Sequence, residues 1–409
     1  MLQPMGEVVK LPSGVQAGSA GHLMQLLRSG AASTRPQLVE LTGVSRNTIA
    51  QRVDALLGTG LIIDDGTSAS TGGRPATRLR FHHGAGVILV GDLGATHARI
   101  GITDLAGTVV IEQTADLAID NGPVAVLAWL NDRFTDLLAS IGREPAAVRG
   151  IGIGVPGPVE HASGRAVSPP IMRGWDGYPI PESFEEHYPG VRVLVDNDVN
   201  IMALGEYWTT WRHAIDDLLF IKVGTGIGCG IVANGQIHRG AQGAAGDLGH
   251  VQVTDGGPIC RCGNIGCLEA VAGGQAMADQ LRTQGHDTHD ARSVVELVRA
   301  GDRDATRLVR ESGRILGRVL ATAVNFFNPA VIVIGGDVAN AHEQLLAGVR
   351  EVVYQRSLPL ATRHLRLVHA QLGDAAGIRG ASAMVIEHVL APTVIDELVN
   401  DAPANRVAR

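Results

Sequence analysis

Apolar residues at helical spacing open the chain and predict three short helices within its first sixty residues. The first helix is expected over 20–29, where three leucines share one face. The second and third begin after Thr34 and Ser45, whose hydroxyls can accept a free backbone N–H at a helix start. The third helix repeats apolar residues at positions i, i+4, i+7 and i+8, which are Ile49, Val53, Leu56 and Leu57.

Polar residues on the third helix and two short strands after it complete a pattern typical of DNA-binding domains. The polar face of the helix, with its flanks, carries Arg46, Asn47, Thr48, Gln51 and Arg52. Strands are expected over 61–63 and 79–81, joined by a glycine-rich tip that carries Arg74, with Arg78 beyond it. This order predicts a winged helix-turn-helix over 1–83 that binds double-stranded DNA, with Arg74 suited to a narrow minor groove. The alternative is a small helical domain for protein contacts with solvated arginines.

From residue 84 onward, β-branched apolar runs predict buried strands in two similar sets. The first set is expected over 86–90, 98–103 and 108–112, and the second over 218–223, 229–233 and 236–238. Each set is followed by helices and further strands, among them 148–155 and 330–334. The repeated plan predicts an α/β body with two similar lobes around a cleft.

A glycine-rich turn follows the first strand of each set. Glycine supplies 53 of the 409 residues, against a usual share of about 7%. The polar and glycine positions of the two turns are Asp92, Gly94 and Thr96 in the first, and Gly224, Thr225 and Gly226 in the second. Because backbone N–H groups and threonine hydroxyls bind phosphate, two such turns facing a cleft could hold a nucleotide. Taken singly, each turn is better explained as a hairpin without a ligand, because such glycine hairpins are commoner.

Charge divides unevenly along the chain. The net charge is −7, but residues 1–83 carry eight basic and five acidic residues, a net +3, and the remainder carries −10. This asymmetry suits a nucleic-acid-binding module ahead of an acidic body. No apolar run approaches the roughly 18 residues of a membrane helix, and the start has no apolar signal-peptide core. We therefore expect a cytoplasmic protein without a membrane partner.

Three of the four cysteines and one histidine have the spacing of a metal site. His250, Cys260, Cys262 and Cys267 form the pattern H-x9-C-x-C-x4-C. One nitrogen and three sulfurs make a closed tetrahedral site for a structural zinc ion. The alternative is a set of unrelated buried thiols. Cys229 lies in a predicted strand and is expected to be a core residue.

Two polar residues, Asn197 and Asp198, follow a predicted strand and open a helix. A carboxylate at a strand end can face a cleft and accept a proton from an attacking hydroxyl. The alternative is that these residues form a helix N-cap, a position that Asp and Asn also favour. Spacing alone favours the N-cap over a catalytic role.

Together these motifs resemble those of the ROK family (repressors, open reading frames and kinases), over roughly residues 85–390. The resemblance implies an α/β, actin/hexokinase-like, two-lobed ATPase-type fold, preceded by the winged helix-turn-helix of the family's regulator branch. The expected domains are the winged helix over 1–83, the first lobe over 84–205 and the second lobe with the zinc site over 206–391. A C-terminal helix, about 375–391, is expected to pack back on the first lobe, followed by a tail over 392–409.

The resemblance also implies roles for cleft residues. Asp198 matches the family's catalytic base, and the sugar-binding set is Asn197, Asp198, Asp247, His250 and Glu269. The nucleotide set is Asp92, Gly94, Thr96, Gly224, Thr225, Gly226, Gly335 and Gly336. Family zinc sites match the four metal-ligand candidates, with one ring nitrogen of His250 on zinc and the other free for a sugar hydroxyl.

Three positions depart from the family's kinase pattern. Ala95 replaces a glycine of the first turn, Asp247 replaces a glutamate, and Ile171 stands where an asparagine is common. We therefore expect a sugar-responsive DNA-binding regulator of carbohydrate genes, a repressor working as a homodimer or homotetramer on an operator, with a sugar or sugar phosphate as effector. The alternative is an ATP-dependent kinase of hexoses or N-acetylhexosamines that uses Mg-ATP, or a protein with both functions.

Overall fold

The computed structural model describes residues 15–67, 77–341 and 343–401. The N-terminal unit has three helices and two antiparallel strands: α1 (Ala20–Arg28), α2 (Arg35–Thr42), α3 (Arg46–Gly58), β1 (Ile62–Thr67) and β2 (Thr77–Phe81). The predicted caps are confirmed, since the side chain of Thr34 accepts from Gln37 N and that of Ser45 accepts from Thr48 N. Gly43 ends α2 with a φ of 68°, a left-handed conformation that favours glycine. The expected wing tip with Arg74 lies outside the described residues.

The first lobe is built on a five-stranded sheet of order β5-β4-β3-β6-β9. Its strands are β3 (Val87–Leu93), β4 (His97–Asp104), β5 (Val109–Asp116), β6 (Val148–Val155) and β9 (Val193–Asn197). Helix α4 (Pro123–Ser140) packs on this sheet, and a small hairpin pairs β7 (Val159–Glu160) with β8 (Arg165–Ala166). Trp175 is fully buried in this lobe and donates from Nε1 to the Ile119 carbonyl at 3.0 Å.

The second lobe repeats the plan with a five-stranded sheet of order β12-β11-β10-β13-β14. Its strands are β10 (Leu218–Val223), β11 (Ile227–Ala233), β12 (Gln236–Ile237), β13 (Val331–Gly335) and β14 (Arg366–His369). In each sheet three antiparallel strands are followed by two parallel ones. The two-lobed α/β fold predicted from the repeated strand sets is confirmed.

Helices of the second lobe cover one core cluster with that sheet. They are α6 (Leu268–Ala272), α7 (Gly274–Thr283), α8 (Ala291–Arg299), α9 (Arg303–Phe327), α10 (Glu343–Arg356) and α11 (Pro359–Thr362). The long α9 packs against α10 through glycines, since a Cβ at Gly313 or Gly348 would collide with backbone oxygens of the other helix.

Two buried helices meet between the sheets. Helix α5 (Asp198–Glu206) contacts β11 and β10 of the second lobe, and α12 (Ala376–Val389) contacts α5 and also β3 and β6 of the first lobe. Their backbones touch, because a Cβ at Gly380 would collide with the Ile201 carbonyl oxygen. Helix α12 thus lies against the first lobe.

The C-terminal segment differs from the predicted tail. Residues Pro392–Asp401 form helix α13, which packs on α1, so the prediction of a tail is wrong for this part of 392–409. The reason is burial: Ile395 is fully buried and Val399 nearly so, and Asp396 Oδ1 accepts from Gly21 N at 2.8 Å.

Among the described residues, no single helix combines the length and apolarity needed to cross a membrane, although the bent pair Gly373–Val389 and Pro392–Asp401 does so jointly.

Candidate functional site

A cavity of about 860 Å³ lies between the two lobes, lined by polar residues and glycines of both. Every residue that the sequence assigned to nucleotide or sugar lines it: Asp92, Gly94, Thr96, Asn197, Asp198, Gly224, Thr225, Gly226, Asp247, His250, Glu269, Gly335 and Gly336. The fold brings them together because the turns after β3 and β10 face each other across the lobes. The departures Ala95, Ile171 and Asp247 line the same cavity.

Asn197 and Asp198 stand where β9 ends and α5 begins. Asn197 is the N-cap of α5, and its Oδ1 accepts from Val199 N at 2.9 Å. Asp198 is the first residue of the helix, and its Oδ1 accepts from the same N–H at 2.9 Å. Asn197 Nδ2 also donates to the Gly157 carbonyl at 3.1 Å. Asn197 therefore caps the helix and also lines the cavity, and Asp198 lines the cavity beside it. These hydrogen bonds hold the polar atoms of both side chains at the edge of the cavity.

A buried carboxylate that sequence reasoning did not single out supports this strand end. Asp196 Oδ2 accepts from both Nε and Nη2 of Arg239 at 2.7 Å, while Oδ1 accepts from Asn200 Nδ2 and Asn197 N at 2.8 Å. Its side chain is only 3% exposed, so the guanidinium compensates a charge removed from water. Arg239 belongs to the other lobe, and no sequence signal links it to Asp196.

Lys222 on β10 is a second cleft residue that the sequence did not reveal. Its Nζ lies 2.6 Å from Asp198 Oδ2, and the Asp198 side chain is 8% exposed. Burial acts to lower the pKa of Lys222, but the nearby carboxylates outweigh it and the pKa lies above its ordinary value. The ammonium therefore stays protonated and paired. The available signal was its rarity, since only two of the 34 basic residues are lysines.

Asp92 faces this pair from the first lobe. Burial raises the pKa of Asp92 to about 7, against the opposing effect of Lys222, and the charge of Asp198 adds to the rise. The carboxyl group lies against the start of α12, because a Cβ at Gly377 would collide with Oδ2 of Asp92.

The glycine turns have specific steric reasons. A Cβ at Gly226 would collide with Oε2 of Glu269, so this glycine lets the Glu269 carboxylate approach the turn after β10. Gly336 has a φ of 87°, and a Cβ there would lie 2.6 Å from the Val223 carbonyl oxygen. The turn after β10 and the turn after β13 are thereby packed directly together.

The four metal-ligand candidates converge as their spacing predicts. The ligand atoms of His250, Cys260, Cys262 and Cys267 all lie within 4.8 Å of one another. The sulfurs of Cys262 and Cys267 are 3.7 Å apart, and two thiolates on one tetrahedral zinc at about 2.3 Å would be about 3.8 Å apart. The donor set and its geometry therefore fit zinc. Cys229 lies apart in β11 as a buried thiol, and burial raises its pKa to about 12.

Two of the four metal-ligand candidates, His250 and Cys260, contact the carboxylates Asp247 and Glu269, which the sequence predicts to bind sugar. His250 Nδ1 is 3.5 Å from Cys260 Sγ, while Nε2 is 3.8 Å from Asp247 Oδ1 on the cavity side. Cys260 Sγ is 3.3 Å from Glu269 Oε1. A metal held by Nδ1 and the sulfurs would fix the direction of Nε2 and leave it free for a ligand.

The polar face of α3 lies in the N-terminal unit, and none of its residues lines the cavity. Arg46, Asn47 and Gln51 are exposed, and Arg78 is exposed on β2. Thr48 is partly buried with Oγ1 2.9 Å from Ser45 Oγ. Arg52 donates from Nη1 to the Gly18 carbonyl, so its side chain holds the segment before α1 as well as flanking the helix.

Comparison with known proteins adds to this geometry. Residues 89–388 match the model of the ROK family. The chain is 29% identical to the xylose repressor of Caldicellulosiruptor bescii over 370 residues, 87% of this chain and 92% of the relative. A ROK family transcriptional regulator, described as a homologue of the Escherichia coli MLC protein, superposes with a TM-score of 0.79 at 26% identity, covering 93% of this chain and 98% of its own.

A kinase structure resembles only part of the chain. The ROK family glucokinase from Streptomyces griseus, solved with glucose and AMPPNP, has a TM-score of 0.63 at 27% identity and covers 73% of this chain and 99% of its own. The cleft, the paired lobes and the family match over most of the chain agree, and the chain belongs to the ROK family.

Proposed function

We propose that this protein is a sugar-responsive transcriptional repressor that binds an operator as a homodimer or homotetramer. The observation that carries the proposal is the joint likeness of N-terminal unit and lobes to a ROK transcriptional regulator over 93% of the chain. The glucokinase covers 73% of the chain. A relative named as a xylose repressor supports control of carbohydrate genes.

The sugar would bind at the strand end of the first lobe, against the metal cluster of the second. Asn197, Asp198, Asp247 and Glu269 offer acceptors for sugar hydroxyls, and His250 Nε2 offers one further polar atom. Because these groups come from both lobes, a bound sugar would favour a closed arrangement of the cleft.

Zinc would act as a structural ion that holds this half of the site. His250, Cys260, Cys262 and Cys267 would be its ligands, and with four protein ligands the ion keeps no open position for a substrate. We predict one zinc per chain by elemental analysis, lost in Cys262→Ser together with most sugar affinity. Ser140→Ala, at an exposed position at the end of α4, is the control that keeps both; retention of zinc by Cys262→Ser would contradict the ligand assignment.

The DNA contact would be made by α3 and the wing. Asn47, Thr48 and Gln51 would face the major groove, with Arg46 and Arg52 at the flanks of this face. Arg74 and Arg78 would contact DNA from the predicted wing. A net charge of +3 over residues 1–83 suits a phosphate backbone.

Sugar binding would reach the DNA-binding unit through packed helices. Asp198 opens α5, α5 packs on α12, and α13 follows α12 and packs on α1. A change of cleft closure that moves α5 would thus be passed to the unit that carries α3. Such coupling requires only that sugar bind two arrangements with different affinity.

The test is binding of the full chain to DNA from upstream of its own gene, with xylose, glucose and N-acetylglucosamine titrated at several salt concentrations. One sugar should change the apparent DNA affinity by about 5- to 150-fold, the usual range of allosteric coupling. Glu269→Gln should keep DNA binding and lose the sugar response, whereas Glu296→Gln on the surface of α8 should keep both. A chain that binds no DNA, or binds it identically with every sugar, would contradict the proposal.

A sugar kinase is the second candidate, favoured by the presence of Asp198 at the cleft and by the glycine turns around it. Its nucleotide would lie on Asp92, Gly94, Thr96, Gly224, Thr225, Gly226, Gly335 and Gly336 with Mg²⁺. Coupled ADP-release assays over hexoses and N-acetylhexosamines test it. Turnover that Asp198→Asn abolishes would establish the kinase.

A further inference from the structure

Lys222 is an unusual residue in this chain. Only two lysines occur among 34 basic residues, and the other, Lys10, lies in the N-terminal segment. Lys222 instead sits in the central strand β10, two residues before the glycine turn, and its side chain is 30% exposed to the cleft. Its ammonium is compact and has three donors, whereas a planar guanidinium would need more room.

The ammonium lies among carboxyl groups from both lobes. Its Nζ is 2.6 Å from Asp198 Oδ2. Asp337, two residues after the end of β13, is close by. A Cβ added to Gly224 would lie 3.7 Å from Lys222 Cε and 3.8 Å from Asp337 Oδ2, so both side chains adjoin this glycine. Asp92 of the first lobe lines the same cavity as Lys222, and its carboxylate acts to raise the pKa of Lys222.

Carboxylates that converge on one point are the ligands that Mg²⁺ prefers, and phosphoryl transfer relies on such an ion to bridge the phosphates. Here a protonated amine already neutralises that point. Both oxygens of Asp198 are also engaged, Oδ1 by Val199 N and Oδ2 by Lys222 Nζ. A proton transferred from a sugar hydroxyl to Asp198 would neutralise the carboxylate and break its ion pair with Lys222, whereas a hydrogen bond from the hydroxyl would leave the pair intact.

We propose that the Lys222 ammonium takes the place of a divalent cation between the carboxyl groups of the two lobes, so that the cleft binds a neutral sugar without Mg²⁺ or phosphoryl transfer. The part that concerns sugar rests on the proposed function. Asp198 then serves as a hydrogen-bond acceptor held in place by Lys222, and the cleft is a binding site with a built-in cation.

The first test measures Mn²⁺ binding to the purified full chain by electron paramagnetic resonance of the free ion. The wild type should show no Mn²⁺ site in the cleft, and Lys222→Met should gain one, with affinity at least about tenfold higher. The double variant Lys222→Met, Asp198→Asn should lose the gained site. Arg292→Met removes the same charge beside Asp337, 3.6 Å away, and should gain none.

The second test uses the scarcity of lysine and does not depend on any variant folding. Labelling with lysine carrying ¹⁵N at Nζ gives two side-chain signals, and the Lys222 signal should be unaffected by Mg²⁺ and shifted by the effector sugar.

Wild-type Mn²⁺ binding as tight as in Lys222→Met, no gain in that variant, or Mg-dependent sugar phosphorylation by the wild type would each overturn the proposal. If Mn²⁺ behaves as expected but no sugar binds by calorimetry, the proposed function fails while the cation assignment stands.

Discussion

At the scale of single residues, the carboxyl group of Asp92 shows how the cleft alters ordinary chemistry. Burial raises its pKa to about 7 from 3.8. In the unfolded chain this group ionises near its ordinary value, so between these two values the folded state holds the extra proton. The contribution of Asp92 to the free energy of unfolding is therefore most favourable at low pH, and it declines as the pH rises toward 7.

We predict that Asp92→Asn removes this decline, because an amide has no charge to desolvate. The midpoint of urea unfolding, followed from about pH 5 to about pH 8, should fall less with pH in the variant than in the wild type. Asp120→Asn, an exposed residue of the same lobe, should follow the wild-type profile. Parallel profiles for Asp92→Asn and wild type would show that Asp92 is not a raised-pKa group.

At the scale of elements, local sequence signals placed several helices and strands within one or two residues of their observed bounds. The caps Thr34 and Ser45 and the strands over 148–155 and 218–223 agree with α2, α3, β6 and β10. These signals are local, because capping, turn conformation and apolar period depend on neighbouring residues. The contact of α5 with α12 had no such signal, since glycines that let two helices touch look like any other glycines in a sequence.

We predict that Gly380→Ala separates α5 from α12, because its new methyl group would collide with the Ile201 carbonyl oxygen. Overpacking of this kind costs about 1–3 kcal/mol of unfolding free energy. Gly58→Ala is the matched control: it lies in α3 with nothing within 4 Å of the new atom, and should be neutral or slightly stabilising. Thermal melting of both variants checks this, and equal melting temperatures would contradict the close contact.

Helix α3, which we propose as the DNA-recognition helix, carries its own prediction. Arg46→Glu should weaken DNA binding by about 1–3 kcal/mol and reduce its salt dependence, because Arg46 is exposed beside the helix start. Arg303→Glu makes the same charge change on an exposed residue at the start of α9, and should leave DNA binding unchanged. The measurement is fluorescence anisotropy with a labelled operator. An equal loss in both variants would indicate a general charge effect instead of a specific interface.

At the scale of the whole molecule, the N-terminal unit and the first lobe share one core. This cluster includes Leu23 and Met24 of α1, Ile378 of α12 and Ile395 of α13. The junction between the units is also held by a polar contact, since His83 Nδ1 lies 2.8 Å from Asp104 Oδ2 of the first lobe. The DNA-binding unit is therefore packed onto the body and is not a tethered module.

We predict that Ile395→Asp frees the N-terminal unit, because a carboxylate in place of a fully buried side chain would expel α13 from α1. Hydrogen exchange of the α1 amides should accelerate, and the sugar response of DNA binding should be lost. Leu398→Asp, at a position 47% exposed on the same helix, should behave as wild type. Unchanged exchange in Ile395→Asp would show that α13 does not hold the unit.

The sequence by itself determined the features that depend on near neighbours: the helix caps, the strand repeats, the glycine turns and the spacing of His250 with its three cysteines. Only the tertiary structure decided which distant groups meet, because the pairing of charges depends on how the lobes pack. Lys222 joins Asp198 across 24 residues and Arg239 joins Asp196 across 43. Helix α13 likewise contacts α1 across 375 residues, through Asp396 and Gly21. The apolar period along the sequence did not predict α13, because its main packing partner, α1, lies near the other end of the chain.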